Sequence, residues 1–269
     1  MARVNAAFTG AIPALYDRYL GPLIFKPFVD GITQRLPALD AGHVLETAAG
    51  TGIVTRALLD NLPAAVAITA TDLNQPMLDR GAALALSDRV RWQMADAQAL
   101  PFAGHAFDAV VCQFGVSFFA DKQKAYREVR RVMKPGGQFI FNVWDKLEHN
   151  ELADLASQAV AEMFPDDPPQ FIARTPHGYH DTHVILADLK AAGFTEVTLE
   201  TVTLRSAAAS STEPAIGFCQ GSPLRNEIEA RDARRLAEAT ERAAIKIGAR
   251  FGNGPVDAKL QAHVVTASG

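Results

Sequence analysis

Cysteine is nearly absent from this chain: Cys112 sits inside an apolar run and Cys219 lies far from it. Two such residues make neither a disulfide framework nor a metal set, and a reducing cytoplasm is the expected compartment. Long apolar runs are missing as well. No segment reaches the roughly 20 residues that a membrane span requires, and the first residues carry no apolar region followed by a small-residue cleavage site. The chain is therefore expected to be soluble, unprocessed and without a membrane span. Blocks of like charge are also lacking, and the formal charge of −4 is modest, so nothing suggests a nucleic-acid surface. There is no internal repeat and no long low-complexity tract; residues 206–212 come nearest and read as a loop.

What the sequence does have is enough apolar content, 48% of 269 residues, to bury the core of one large domain or of one domain and a cap. Its organising stretch is His43-Val44-Leu45-Glu46-Thr47-Ala48-Ala49-Gly50-Thr51-Gly52. An apolar run ends in an acid, Gly-x-Gly follows, and Ile53, Val54, Ala57, Leu58 and Leu59 continue at helical spacing, which predicts a strand, a tight turn and a helix. The glycines permit positive φ and close approach of a ligand, and the free N–H groups of the helix start favour a polar or anionic group. Twenty residues after Gly52, the run from Val66 to Ala70 ends in Thr71-Asp72-Leu73. That places a carboxylate at the tip of the next strand, where doubly wound sheets hold a ribose diol.

Dinucleotide dehydrogenases and S-adenosylmethionine (SAM) methyltransferases both use this arrangement. The dinucleotide pattern Gly-x-Gly-x-x-Gly fails at Thr55, whereas Glu46-x-x-x-Gly50-x-Gly52 resembles the signature of class I SAM-dependent methyltransferases, of the ubiquinone/menaquinone-biosynthesis type. Ala48 stands where many members carry another glycine, which stiffens the loop. The resemblance implies an α/β fold, a Rossmann-like seven-stranded doubly wound sheet with an N-terminal helical segment and an inserted helical cap. It divides the chain into residues 1–40 as a lid, 41–145 as the SAM-binding core and 146–269 as the rest of the sheet, with cap insertions near 146–185 and 206–255. It is specific over residues 43–145 and looser elsewhere.

The resemblance also implies a cofactor site made of Glu46, Thr47, Ala48, Gly50, Gly52, Asp72, Leu73, Met77, Asp96, Ala97, Gln113 and Phe114. Met77, in the helix that opens with Asn74 as N-cap and Pro76 in its first turn, falls where the family sets an apolar side chain against adenine; a core methionine is the plainer reading. Asp96, just past the strand from Val90 to Ala95, matches the acid that accepts from the adenine amine, with the next N–H, of Ala97, donating to a ring nitrogen. Phe107 to Cys112 reads as a central strand buried on both faces, and its end, Gln113 to Phe119, should open onto the cleft. The Asn/Asp-Pro-Pro-Tyr type sequence of many amine methyltransferases is absent there, which argues against DNA-base or protein-amide methylation. Lys122 to Met133 reads as an amphipathic helix, Lys134-Pro135-Gly136-Gly137 as a type II turn and Gln138 to Trp144 as the fifth strand.

Beyond Asp145 the alternation fades. His177, His180 and His183 recur at spacing three, but Pro176 and Gly178 interrupt any helix that would align them as metal ligands; Asp181 is expected to cap a helix over 183–192 that Gly193 ends. A strand over 195–204, a helical insertion from Pro223 to about Arg250 and a last, antiparallel strand over 260–267 complete the reading. The implied activity is methyl transfer from SAM, yielding S-adenosylhomocysteine, to a small, largely apolar acceptor at oxygen or carbon, by a monomer or homodimer. Such a displacement needs collinear placement rather than a nucleophilic residue. A base is needed only where the acceptor is not already anionic, and Tyr16 and His149 are the candidates. A SAM-binding module without methyl transfer is the alternative.

Overall fold

The computed structural model describes residues 7–84, 87–252 and 254–269. The chain forms two compact units, one of the described residues up to Pro27 with Trp144–Gly178 and Thr203–Gln261, the other of Phe28–Val143, Tyr179–Val202 and Ala262–Gly269. Residues of the expected lid, 1–40, thus divide between the two.

Seven strands, β1 (Gly42–Glu46), β2 (Val66–Asp72), β3 (Val90–Met94), β4 (Phe107–Gln113), β5 (Met133–Trp144), β6 (Glu196–Ala208) and β7 (Val256–Ser268), form one sheet in the order β3-β2-β1-β4-β5-β7-β6. Strands β1 to β5 pair in parallel: Glu46 lies opposite Ala70 and Val111, Asp72 opposite Met94, and Gln113 opposite Asn142. Order reverses between β1 and β4, so the loops after these two strands flank the switch point where doubly wound sheets bind ligands. Central β4 is buried along almost its whole length, as a strand covered on both faces must be. Partners across β6 and β7 run in opposite directions, Thr195 with Ser268, Thr201 with His263, Thr203 with Gln261 and Arg205 with Asp257. The last strand is therefore antiparallel to β6, as expected.

In the second unit, the helices α2 (Val29–Thr33), α3 (Ile53–Asn61), α4 (Gln75–Ala82), α5 (Lys122–Val132) and α8 (Thr182–Ala191) accompany the sheet. One face is sealed by Val29, Ile32, Val54 and Leu58 with Val44, Ile68 and Val111. The other is sealed by Tyr126, Val129, Ile185 and Leu189 with Val110, Phe139 and Phe141. Apolar side chains on both sides of parallel strands are the main source of stability here, at about 1.5–3 kcal/mol for each fully buried Val, Leu, Ile or Phe. Asp181 caps α8 by accepting from His183 N at 2.9 Å. The first unit holds α1 (Ile12–Leu15), the wide-pitched helical stretch Tyr16–Phe25, α6 (Glu151–Ala161), α7 (Phe171–Arg174), α9 (Thr212–Gln220), α10 (Leu224–Asp232) and α11 (Leu236–Phe251). Among the described residues no helix is long and apolar enough to cross a membrane.

Three local expectations change. The Lys134–Gly137 turn does not precede β5 but lies within it: Met133 already pairs with Phe107, and the register then jumps so that Ala109 meets Gln138. The turn is a bulge, pinned by Lys134 Nζ at 2.8 Å from both Asp108 carboxylate oxygens. Residues 206–208, read as loop, continue β6, and the Ser206 hydroxyl donates to Leu23 O at 2.7 Å. The insertion begins earlier than Pro223, with α9.

Candidate active site

The turn after β1 is built from left-handed backbone: Ala48, Gly50 and Gly52 have φ of +52°, +57° and +82°. Ala49 N donates to Thr71 O at 2.8 Å, and Gly50 N donates to Asp72 Oδ2 at 2.9 Å, so the turn is stitched to the tip of β2. The other oxygen of Asp72, Oδ1, accepts from the Asn74 backbone N–H at 2.8 Å and its side chain at 3.2 Å. Asn74 does stand at the N-cap of α4, but its side chain turns back to Asp72 instead of capping the helix. Asp72 is 7% exposed. Burial raises its pKa, opposed by the donors from Asn74 and Gly50, and no cation among the described residues takes part. Such a carboxylate suits neutral donors such as hydroxyls.

Glu46, at the end of β1, is buried, and burial pushes its carboxyl up to about 8 against the hydrogen bond from Thr55. Thr55 Oγ1 donates to Glu46 Oε2 at 2.5 Å, and Glu46 O accepts from Thr71 Oγ1 at 3.0 Å. Glu46 therefore shapes the turn from below. Thr47 is fully buried, its N–H donating to Val111 O at 2.9 Å. Leu73 is 55% exposed beside Asp72, whereas Met77 is buried at 3%.

Past β3, Ala95 N donates to Asp72 O at 3.0 Å, which holds the β3 loop at the tip of β2. Asp96 Oδ1 accepts from Gln98 N at 2.8 Å and Gln98 Nε2 at 3.2 Å, while Oδ2 takes no hydrogen bond among the described residues. Ala97 is buried. After β4, Gln113 is half-buried and Phe114, at φ +56°, is buried edge-on to Phe28 with ring centres 5.5 Å apart. Its N–H donates to the Asn142 carbonyl at 3.1 Å and side-chain oxygen at 3.0 Å. A Cβ on Gly115 would lie 2.3 Å from Ala48 Cβ, so the loops after β1 and β4 touch at the switch point.

All twelve expected cofactor residues thus belong to one unit and follow the carboxyl edge of β2, β1 and β4 and the loop after β3. The two candidate bases, Tyr16 and His149, belong to the other unit. Tyr16 is half-buried, stacked on Phe25 at 4.8 Å and edge-on to Phe8 at 5.7 Å. His149 Nδ1 lies 2.9 Å from Asp145 Oδ2. His177 is buried with Nδ1 2.8 Å from Asp145 O. Among the described residues no group of three His, Cys, Asp or Glu could hold a metal.

Gly115 and Trp92 were not singled out by the sequence, and Thr55 only as the residue that breaks the dinucleotide pattern. Trp92 fills the space beside Gly52 and Gly81: a Cβ on either would come within 2.6 Å of its ring. Thr55 carried a signal, in that its hydroxyl recurs two turns of chain after an acid at a strand end.

An α/β sheet with this strand order, a glycine turn at the switch point and acids at successive strand tips defines a class I nucleoside-binding fold. The family profile described as a methyltransferase domain matches residues 45–141. The ubiquinone/menaquinone biosynthesis C-methyltransferase UbiE of Idiomarina loihiensis is 31% identical over 180 residues, covering 60% of this chain and 69% of that protein. The UbiE of Geotalea daltonii is 33% identical over 103 residues, and there the match spans 37% of this chain and less than half, 44%, of the relative. Among solved structures, phosphoethanolamine N-methyltransferase 2 of Haemonchus contortus in complex with SAM superposes with a TM-score of 0.61 at 15% identity, over 95% of this chain and 56% of that one, a likeness of fold. The chain belongs to the class I SAM-dependent methyltransferases, in the group of the ubiquinone/menaquinone-biosynthesis enzymes.

Proposed function

We propose that this protein transfers a methyl group from SAM to a small, largely apolar acceptor, at oxygen or carbon rather than at a DNA base or protein amide. One observation carries the placement of the cofactor: the bond from Gly50 N to Asp72 Oδ2, which joins the glycine turn to the acid of the next strand in one rigid edge. Asp72 would take the ribose hydroxyls on its remaining lone pairs. Leu73 offers an exposed apolar face for the adenine, Asp96 Oδ2 an acceptor for its amine and the Ala97 N–H a donor for a ring nitrogen. Gly50 and Gly52, with Thr47 and Ala48, would line the aminoacyl end, and Glu46 would act through the turn it supports. Met77 and Phe114, both buried, would back the site from within, and Gln113 would border it.

When bound, SAM would supply an electrophilic methyl on its sulfonium, with the thioether of S-adenosylhomocysteine as the leaving group. The work of the chain is then to orient and to exclude water, for which positioning can supply up to about 7–11 kcal/mol. An apolar acceptor is supported by Phe118 and Phe119, half-buried on the loop after β4, and by Gln113-Phe114-Gly115-Val116 in place of an amine-binding Asn/Asp-Pro-Pro-Tyr sequence. Tyr16 and His149 are proposed as the groups that would handle an acceptor proton. Isothermal titration should give micromolar-range SAM binding, and Asp72→Ala should weaken it by roughly 10- to 100-fold, the equivalent of about 1.5–3 kcal/mol for hydrogen bonds to a charged group. Absence of binding ends the proposal; binding without S-adenosylhomocysteine release from any acceptor would leave a binding module.

A further inference from the structure

The loop after β3 is fastened to α5 at two places. Farther from the strand, Leu100 N donates to Glu128 Oε2 at 2.8 Å. Arg131, itself paired with Glu128, donates there to Leu100 O at 2.9 Å and Phe102 O at 2.8 Å. Nearer the strand a single side chain makes the join. Gln98 Nε2 donates to Asp96 Oδ1 at 3.2 Å, and Gln98 Oε1 accepts at 2.7 Å from the N–H of Asp121, the N-cap residue of α5. Asp121 is held in turn, since its Oδ1 accepts from Lys124 N at 2.8 Å. All of these residues lie in one compact unit.

The Gln98 amide can sit only one way round. Turned over, it would set Nε2 against the Asp121 N–H and Oε1 against a carboxylate oxygen, two repulsive contacts in place of two hydrogen bonds. The Gln98 backbone N–H adds a second donor, 2.8 Å from the same Asp96 Oδ1. Both donors thus fall on one oxygen, and Oδ2 takes no hydrogen bond among the described residues. A carboxylate fixed by one oxygen presents the lone pairs of the other in a set direction. Those lone pairs suit an N–H group and repel a carbonyl oxygen. A loop that had only to stay folded already has Glu128 and Arg131, and the turn at Asp96 needs only the backbone N–H of Gln98. The side-chain amide does more, because it braces the acid against a different element.

Resting on the placement of SAM proposed above, we propose that Gln98 is a positioning residue of the cofactor site. Its amide, braced on the Asp121 N–H, aims Asp96 Oδ2 at the 6-amino group of the purine and so sets selectivity for a 6-aminopurine over a 6-oxopurine nucleoside. An oxo base carries a carbonyl oxygen at that place and a hydrogen on the neighbouring ring nitrogen. It would therefore meet Asp96 with a lone pair and the Ala97 N–H with another N–H.

Titration of the full chain with S-adenosylhomocysteine and with S-inosylhomocysteine, its 6-oxo counterpart, measures this selectivity. The wild type should bind the adenosyl compound about 10- to 100-fold more tightly. Gln98→Met keeps the length of the side chain without donor or acceptor, and the ratio should fall by about 3- to 10-fold, as loss of one hydrogen bond implies. Gln98→Glu, of the same shape with acceptors only, should lower it at least as far, which keeps the test open if Gln98→Met folds poorly. Glu128→Ala loosens the other anchor of the same loop; it should weaken both ligands alike and leave the ratio within about 1.5-fold of the wild type. A ratio that both Gln98 variants leave unchanged, or that falls equally in Glu128→Ala, would overturn the proposal while leaving the cofactor site standing, as would a wild type that binds the two compounds equally. A wild type that binds neither would instead overturn the methyltransferase reading itself.

Discussion

The hydroxyl of Thr55 donates to the carboxyl of Glu46 at 2.5 Å, so the first turn of α3 reaches back across the glycine turn to hold the end of β1. Thr55→Val keeps the shape and removes the donor to a buried acid. We expect a loss of about 1–3 kcal/mol in stability, read as a lower urea midpoint, together with weaker SAM binding by titration. A variant as stable as the wild type would show that Glu46 does not depend on this contact.

Burial holds the Glu46 carboxyl at about 8, above its ordinary 4.5. An acid whose folded pKa is raised stabilises the fold fully below its unfolded value, and that contribution disappears as pH rises through the folded one. Glu46→Gln cannot ionise. Its stability relative to the wild type should therefore climb between pH 4.5 and about 8, by on the order of 3–5 kcal/mol once the wild-type acid is charged. Denaturation curves at a series of pH values measure this difference, and a flat difference would refute it.

Ala48 and Gly115 form a reciprocal pair. Ala48 has a positive φ where glycine is at ease, and Gly115 has no room for the Cβ that alanine would add, 2.3 Å from Ala48 and 2.9 Å from Cys112 Sγ. Ala48→Gly should raise stability by up to about 1 kcal/mol. Gly115→Ala should lower it by about 1–3 kcal/mol through overpacking, and the double variant should recover part of the loss. Thermal midpoints of the four proteins test the coupling.

Both thiols are buried, and burial pushes each up to about 12. Neither should react with a disulfide reagent at neutral pH in the native state, and two equivalents should react in denaturant. Rapid native labelling would contradict the packing around Cys112.

The turn, the first four strands and the acids that close the first three were legible because each is written within a few residues: apolar runs that stop, a glycine pair, an acid. Asp72 could be placed at a strand end, but its grip on Gly50 depends on β1 and β2 pairing in register. Thr55 was read only as the residue that spoils a dinucleotide pattern; its use requires the turn to fold back on Glu46. The Pro-Gly-Gly stretch, read as a turn ahead of the fifth strand, lies within β5 at a shift of register. Its place inside β5 is set by Phe107 pairing with Met133, which local chemistry does not encode. Ser206 looked like loop because small residues carry no strand signature, while its partner, Leu23, lies 183 residues away. The hydrogen bond between Asp145 and Gln261, 116 residues apart, was invisible for the same reason.

The indole of Trp92 is wedged against two glycines, one closing the turn after β1 and one in α4. Side chain and turn therefore cannot shift independently: a ligand that tightens the turn must also change the packing of a natural fluorophore. The chain has only one other tryptophan, Trp144, and it is buried, so the emission of Trp92 amounts to an inbuilt optical gauge of any rearrangement of the glycine turn.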